Sequence, residues 1–405
     1  MSDPAFFASD APVQVWHAMR RENPVLWVER HAQPGFWAVT GYRDAQSVLR
    51  RPDDFGSEGG LRLDTPAAAV RVASGRMLIA TDPPRHTHLR RSIGAGFRTQ
   101  IIRELEIKTR GMAEALIGNA LLAGGCDFVS DIAGPLSTSV VCELMGIPPA
   151  DQPLMGQLAD RAFGASRRTV DSSADERDRM AAHADILLYY WQAMERKRYA
   201  NDQGLITRLV QSPVGGSRLT DEEVVLNCDG LLAGGNETAR LAAATGLQAL
   251  IEDPRQWARL CRTPTSIPGA VEEILRWTSP ASHVLRVARQ DTELGGNQVA
   301  AGDLVAVWLP AANRDPEVFV DPDTFDTTRI RNRHIAFGSG DHSCIGSAIA
   351  RMELRVLFEE LSRRVARFEI TGPLERLRSN TFWGVKSMSI TVTETSAPTA
   401  RMGIS

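Results

Sequence analysis

The chain has 405 residues, 43% of them hydrophobic and 6% aromatic, with a formal net charge of -3. A chain this long can bury a large core resting on Leu, Val, Ile and Ala, and its charge balance excludes a global attraction to nucleic acid. The cysteines Cys126, Cys142, Cys228, Cys261 and Cys344 are odd in number, widely spaced and form no C-x-x-C pair. That pattern argues against a disulfide framework or a zinc finger and fits a reducing cytoplasm. Residues 1–12 show no signal-peptide pattern, and no apolar run reaches the roughly 18 residues of a membrane span, so neither export nor a membrane is expected.

In chain order, Val13 to Arg21 has helical spacing. Val25 to Val28 and Phe36 to Val39 read as short strands joined through Gly35, and Tyr42 to Leu49 reads as a helix ending before Pro52. Residues 56–80, rich in Gly, Ser, Ala and Asp, read as a long surface loop able to cover a site. From Pro84 to Ala200 the chain reads as mainly helical, with an interruption from Gly164 to Asp175. Thr220-Asp221-Glu222-Glu223 predicts a capping box that opens a helix running to Ile251, roughly 45 Å at 1.5 Å per residue. Its small, apolar middle, Leu231 to Gly235, is expected to be buried. Pro268 to Trp277 predicts a short helix. Val284 to Ala288 and Gln298 to Trp308 carry strand signals around a Gly295-Gly296-Asn297 turn. Ala311 to Phe337 reads as irregular, and a final helix is expected from Cys344 to about Val365, with Ile345, Ile349, Met352 and Val356 on its core stripe. No internal repeat is visible.

Three patterns carry chemistry. The first is Phe337-Gly338-Ser339-Gly340-Asp341-His342-Ser343-Cys344-Ile345-Gly346, a cysteine after a glycine-bearing loop at an expected helix start. Free N–H groups there favour a thiolate, and the glycines let backbone wrap a sulfur and lie flat beneath a planar ligand. A G-x-G-x-x-G nucleotide loop is not met, because Ser343 stands three after Gly340. The second is Glu273-Ile274-Leu275-Arg276, a carboxylate and a guanidinium on one helical face. The third is Gly234-Gly235-Asn236-Glu237-Thr238 inside the long helix. Each glycine there costs about 1 kcal/mol against alanine, which suggests close approach of something flat or a local widening.

Together these patterns resemble the cytochromes P450, whose cysteine signature F-G-x-G-x-H-x-C-x-G is met at every fixed position and whose E-x-x-R motif stands at the right distance before it. The resemblance spans about Pro24 to Ile390. It implies a mainly α fold with minor β (α+β), one catalytic domain over 1–405, a mixed N-terminal part to about residue 55 and a haem-binding region near 330–365. Haem b would lie between the long central helix and the cysteine-loop helix. Cys344 is implied as its axial iron ligand, with Phe337, Gly338, Gly346, Gly234 and Gly235 around it, and a thiolate ligand favours O–O cleavage. His86, Arg90, Arg286, His342 and, fifth, His334 are implied as partners for the propionates. Glu237 and Thr238 are implied as the acid–alcohol pair that delivers protons. Glu273 and Arg276 are implied as a structural network reaching Asn313 to Pro316 and Phe325 to Arg329.

The activity implied is O2-dependent monooxygenation of a mid-sized, mainly apolar small molecule, most simply hydroxylation, in secondary metabolism. Oxidative coupling or ring formation, and a non-catalytic haem sensor, are the alternatives. No flavin or NAD(P) motif is seen, so electrons are expected from a separate ferredoxin or flavodoxin-type partner on a basic face with Arg90, Arg91, Arg98, Arg351 and Arg355. The substrate is expected to meet Met77, Leu78, Leu232, Ala233, Ala281, Ser282, His283, Val284, Phe382 and Trp383. Against the family pattern, Arg85 stands where an acid is usual, Asp341 and Ser343 make the cysteine loop polar, and Ser347 replaces the commoner Ala.

Overall fold

The computed structural model describes residues 3–9, 11–31, 33–60, 62–163, 173–211 and 218–395. In chain order its elements are α1 (Ala11–Glu22), β1 (Val25–Val28), β2 (Phe36–Val39), α2 (Tyr42–Arg50), β3 (Phe55–Gly56), α3 (Ala67–Ala73), α4 (Arg85–Gly94), α5 (Thr99–Ala123), β4 (Gly125–Asp127), α6 (Gly134–Met145), α7 (Gln152–Ala162), α8 (Ser173–Lys197) and α9 (Leu205–Gln211). There follow α10 (Asp221–Glu252), α11 (Pro254–Arg262), α12 (Ile267–Thr278), β5 (His283–Ala288), β6 (Thr292–Leu294), β7 (Asn297–Val299), β8 (Leu304–Trp308), α13 (Leu309–Ala312), α14 (Ser347–Arg364), β9 (Val365–Ile370), β10 (Glu375–Arg376), β11 (Val385–Ser387) and β12 (Ser389–Glu394).

Helices form the body, and a five-stranded sheet of order β1-β2-β8-β5-β3 flanks it. The β1–β2 hairpin pairs Val25 with Val39, while β2 runs parallel to β8, with Phe36 beside Leu304. The helical core is aliphatic, as the composition requires. A smaller aromatic core ties the N-terminal residues to the sheet: Phe7 stacks on Trp308 at 5.4 Å, and Trp16 meets Trp383 edge-on at 5.5 Å.

The capping box forms as predicted. Glu223 N–H donates to Thr220 Oγ1 at 3.2 Å and Thr220 N–H to a Glu223 carboxylate oxygen at 2.9 Å. From it α10 runs 32 residues, about 48 Å. It packs against α6, α8, α12 and α14. Arg85 pairs with Glu223, so the residue that departs from the family pattern fastens α4 to the start of α10.

Four expectations need correction. Residues 56–80 are not wholly loop: Pro66 precedes α3, whose run of alanines supplies helix propensity in a segment that composition alone made look irregular. The strand signal from Gln298 to Trp308 splits into β7 and β8, because Gly302 turns the chain at φ 91°, and β7 pairs back on β6. The final helix begins at Ser347, three residues after Cys344. Of Leu231 to Gly235 only Leu232 is buried; the others are half-buried or, for Gly234, exposed. The expected break from Gly164 to Asp175 lies largely outside the described residues.

The segment between α13 and the cysteine is irregular and needs outside support. Arg276 supplies it: the guanidinium grips both oxygens of Glu273 at 2.8 Å and donates to the carbonyls of Asn313, Pro322 and Thr324. Glu273 in turn accepts from Asp326 N–H, Arg329 and Asn332. Both side chains are fully buried. Removing one member leaves the other charged and uncompensated. Glu273→Ala is therefore expected to cost about 3–5 kcal/mol, read as a lowered urea midpoint.

Candidate active site

Cys344 sits in a loop, not in a helical turn. Gly338 and Gly340 adopt φ 71° and 72°, and Gly340–His342 make one 3-10 turn, so helix propagates only beyond Gly346. The loop closes on itself: Gly338 N–H donates to Ile335 O and Cys344 N–H to Phe337 O, both at 2.8 Å. It also presses on α2, where a Cβ at Gly340 would lie 2.4 Å from Leu49 O, and Arg50 Nε donates to Ser339 Oγ at 2.7 Å. A hydrogen-bond path leads from the buried ion pair to this loop. Arg276 holds Asn313 O, Asn313 Oδ1 accepts from Ile335 N–H, and Ile335 O accepts from Gly338.

The Cys344 side chain is accessible to solvent. Burial is nevertheless the largest influence on its thiol, pushing the pKa up, while Gly346 N–H, Arg90 and Arg351 pull it down. Arg351 stacks over Phe337 at 4.6 Å and forks onto Glu272 at 2.7 and 2.9 Å. His334 Nε2 joins the same carboxylate at 3.1 Å. The structure thus places His334 with Glu272 and Phe337, apart from the other expected propionate partners.

Those other partners gather. The His86 and His342 rings lie 4.0 Å apart, and Arg90 approaches Ser343 Oγ at 3.4 Å. Burial, Arg286, His86 and Arg90 push His342 down to about 3, and burial with Arg90 lowers His86. Burial alone lowers Arg286 to about 10, with Asp82 opposing. Asp82 is itself occupied by the N–H groups of Ser57 and Glu58. Buried His86 Nε2 has no partner among the described residues. A crowd of bases that depress one another, with an orphaned ring nitrogen, fits the edge of a flat group carrying two carboxylates.

On α10 the two glycines serve different ends. A Cβ at Gly235 would strike Val141 Cγ2 at 2.7 Å, so this glycine admits α6; a Cβ at Gly234 would meet nothing within 4 Å, so that face is open. The helix stays α throughout, without the suggested widening. Thr238 Oγ1 donates to Gly234 O at 2.6 Å. Glu237 is fully buried, one oxygen bound by Arg240, the other without a partner, and burial raises its pKa. Arg240 continues to Asp160 at 2.6 Å, which is half exposed.

The expected substrate residues divide. Met77, Leu78, Ala233, Ala281 and Val284 are half-buried. Leu78 N–H donates to Asn227 Oδ1 of α10 at 2.8 Å, and a Cβ at Gly230 would touch Met77. Leu232, Ser282, His283 and Trp383 instead turn into the core. His283 Nε2 accepts from Leu63 N–H at 3.2 Å and its Nδ1 bonds Asn380 O at 3.0 Å, so both ring nitrogens are spent on structure. Alternation along β5 could have shown this, since His283 shares a face with Leu285, which is buried too. Phe382, nearly buried, pairs with Ala281 and lies 5.8 Å beneath the Arg62 guanidinium. Sequence reasoning missed Arg62, because one arginine in a Gly- and Asp-rich loop carries no signal. Of the proposed basic face, Arg91 and Arg98 are exposed, while Arg351 and Arg355 are held by Glu272 and by Glu106 and Glu359.

A family model described as cytochrome P450 matches residues 267–382. The chain is similar to cytochrome P450 NovI of Streptomyces niveus, 32% identical over 97% of this chain and 96% of that protein. It is likewise similar to linalool 8-monooxygenase of Pseudomonas putida, 33% identical over 96% of this chain and 98% of that protein. Among solved structures, P450 OxyD, involved in the biosynthesis of vancomycin-type antibiotics, superposes with a TM-score of 0.89 at 33% identity, covering 98% of this chain and 99% of that one.

His283 yields a prediction. Burial lowers its pKa to about 4, from 6.5, with Arg62 also lowering it. A depressed folded-state pKa stabilises above the unfolded value and loses that contribution as pH falls. The advantage of wild type over His283→Gln should be present at pH 7 and shrink between about pH 6.5 and 4, by up to about 3 kcal/mol in urea unfolding at each pH.

Proposed function

The chain belongs to the cytochrome P450 family and is a P450 monooxygenase, and from that premise we propose that it hydroxylates a mid-sized, mainly apolar small molecule using haem b bound through Cys344. The solvent-accessible cysteine beside Arg90 and the paired His86 and His342 rings carries this reading. Cys344 would ligate the iron, and His86, Arg90, Arg286 and His342 would receive the propionates. When bound, the haem supplies the iron at which O2 is reduced and cleaved, one atom going to substrate and the other to water.

The chain's own residues then position and protonate. Thr238 keeps its hydroxyl proton on Gly234 O, which leaves its lone pairs as acceptors on the open side of α10. It thereby holds a hydrogen bond donated from the cavity. Glu237 offers the unpaired oxygen of a buried carboxyl with a raised pKa, a proton reservoir one residue away, and Arg240 ties it to the surface acid Asp160. The half-buried apolar side chains of Met77, Leu78, Ala233 and Val284 exclude water from the substrate. Exposed Arg91 and Arg98 suit an acidic ferredoxin or flavodoxin-type donor. A role in secondary metabolism is supported by the likeness to OxyD, whose own part is in antibiotic biosynthesis.

Two measurements test this. The reduced, carbonylated protein should show the red-shifted Soret band of a thiolate-ligated haem, and Cys344→Ala should abolish it. With a surrogate reductase and NADPH, Thr238→Ala should lower product formed per O2 consumed several-fold. Unchanged coupling would remove Thr238 from proton handling.

A further inference from the structure

Gly60 lies over β5, where a Cβ on it would press Leu285 at 2.8 Å, and His283 pins Leu63. This seating carries Arg62 beyond the sheet edge to Phe382. There Arg62 meets the fields of Asp229 on α10 and Arg179 on α8, and reaches His283 on β5. Its side chain is reached by solvent, yet burial is the largest influence on it, lowering its pKa. It stands over Phe382, which packs with Leu241, three residues beyond Thr238 on α10. Among the described residues it has no hydrogen-bond or ion-pair partner, and its guanidinium lies 5.8 Å from the centre of the Phe382 ring.

The acids nearby are committed elsewhere. Asp229 is held by His183 at 3.1 Å from both oxygens, and that carboxylate raises the His183 pKa. Asp64 is held by Arg30 at 2.9 Å and Asn380 at 2.6 Å. Arg179 is paired with Glu176. None of these acids forms an ion pair or hydrogen bond with Arg62, so its donors stay unused among the described residues. A guanidinium with unused donors beside the Phe382 ring is a fork for a carboxylate.

We propose that Arg62 is a specificity-determining residue that binds a carboxylate on the substrate, so that the substrate class is an amphiphilic organic acid and not a neutral hydrocarbon. The proposal rests on the monooxygenase reading and narrows it. A lysine at 62 would keep the charge without the two-pronged geometry.

The test is calorimetric titration of the haem-loaded enzyme with alkanoic acids from octanoic to tetradecanoic and with arylalkanoic acids, each beside its primary amide. At least one acid should outbind its amide tenfold or more in wild type. Arg62→Ala should erase that preference while leaving amide affinity unchanged, and Arg62→Lys should restore part of it. The proposal is overturned if no acid outbinds its amide, or if the preference survives in Arg62→Ala. The carbonylated spectrum of the same preparations separates the two readings. A missing thiolate band sinks the monooxygenase reading itself, whereas a normal band without acid preference sinks only the role of Arg62.

Discussion

A single buried fork, Arg276 on Glu273, decides whether this molecule has a site. The chain from Asn313 to Arg333 has almost no regular structure, so its carbonyls and N–H groups lack the partners that a helix or strand would provide. Arg276 and Glu273 provide them from α12. Ion pairs of this kind seldom add net stability, because desolvating both charges offsets their attraction. Their worth here is geometric: through Asn313 and Ile335 they set the height and tilt of the loop that carries Cys344.

Much of this was readable in the residues. The capping box, the length of α10 and the first two strands follow from local chemistry that tertiary packing does not overturn, whereas the reach of Glu273 and Arg276 to the later irregular segment was legible only through the family resemblance. What failed to read through was direction. The Gly234-Gly235 pair looks uniform in sequence, yet one glycine yields to Val141 and the other faces open space. His283 and Trp383 have the chemistry of ligand contacts but point into the core, and Leu232 does likewise. His334 has the right residue type for a propionate partner, and the structure sets it against Glu272, a mate that spacing alone does not show. The helix expected at Cys344 starts late because left-handed glycines must first complete the loop.

The electrostatics of the cavity are arranged in zones. At the sulfur end, bases crowd together, with Asp82 and Asp341 only partly offsetting them. Along α10, Glu237 is buried with a raised pKa and an oxygen left free. At the far end a single guanidinium stands over an aromatic ring. Each zone is costly as an isolated protein feature and becomes reasonable when a charged or hydrogen-bonding group from outside completes it.

The parallel pairing of β2 with β8 has a consequence for biosynthesis. Strand β2 ends at Val39 and its partner starts at Leu304, so the second edge of the hairpin stays unpaired until the ribosome has made most of the chain. At about 5–20 residues per second that wait is on the order of tens of seconds. The aromatic residues Phe7 and Trp16 must wait as long for Trp308 and Trp383. During that interval the nascent N-terminal segment presents an open strand edge and bare indole and phenyl surface, a natural landing place for a chaperone at the exit tunnel.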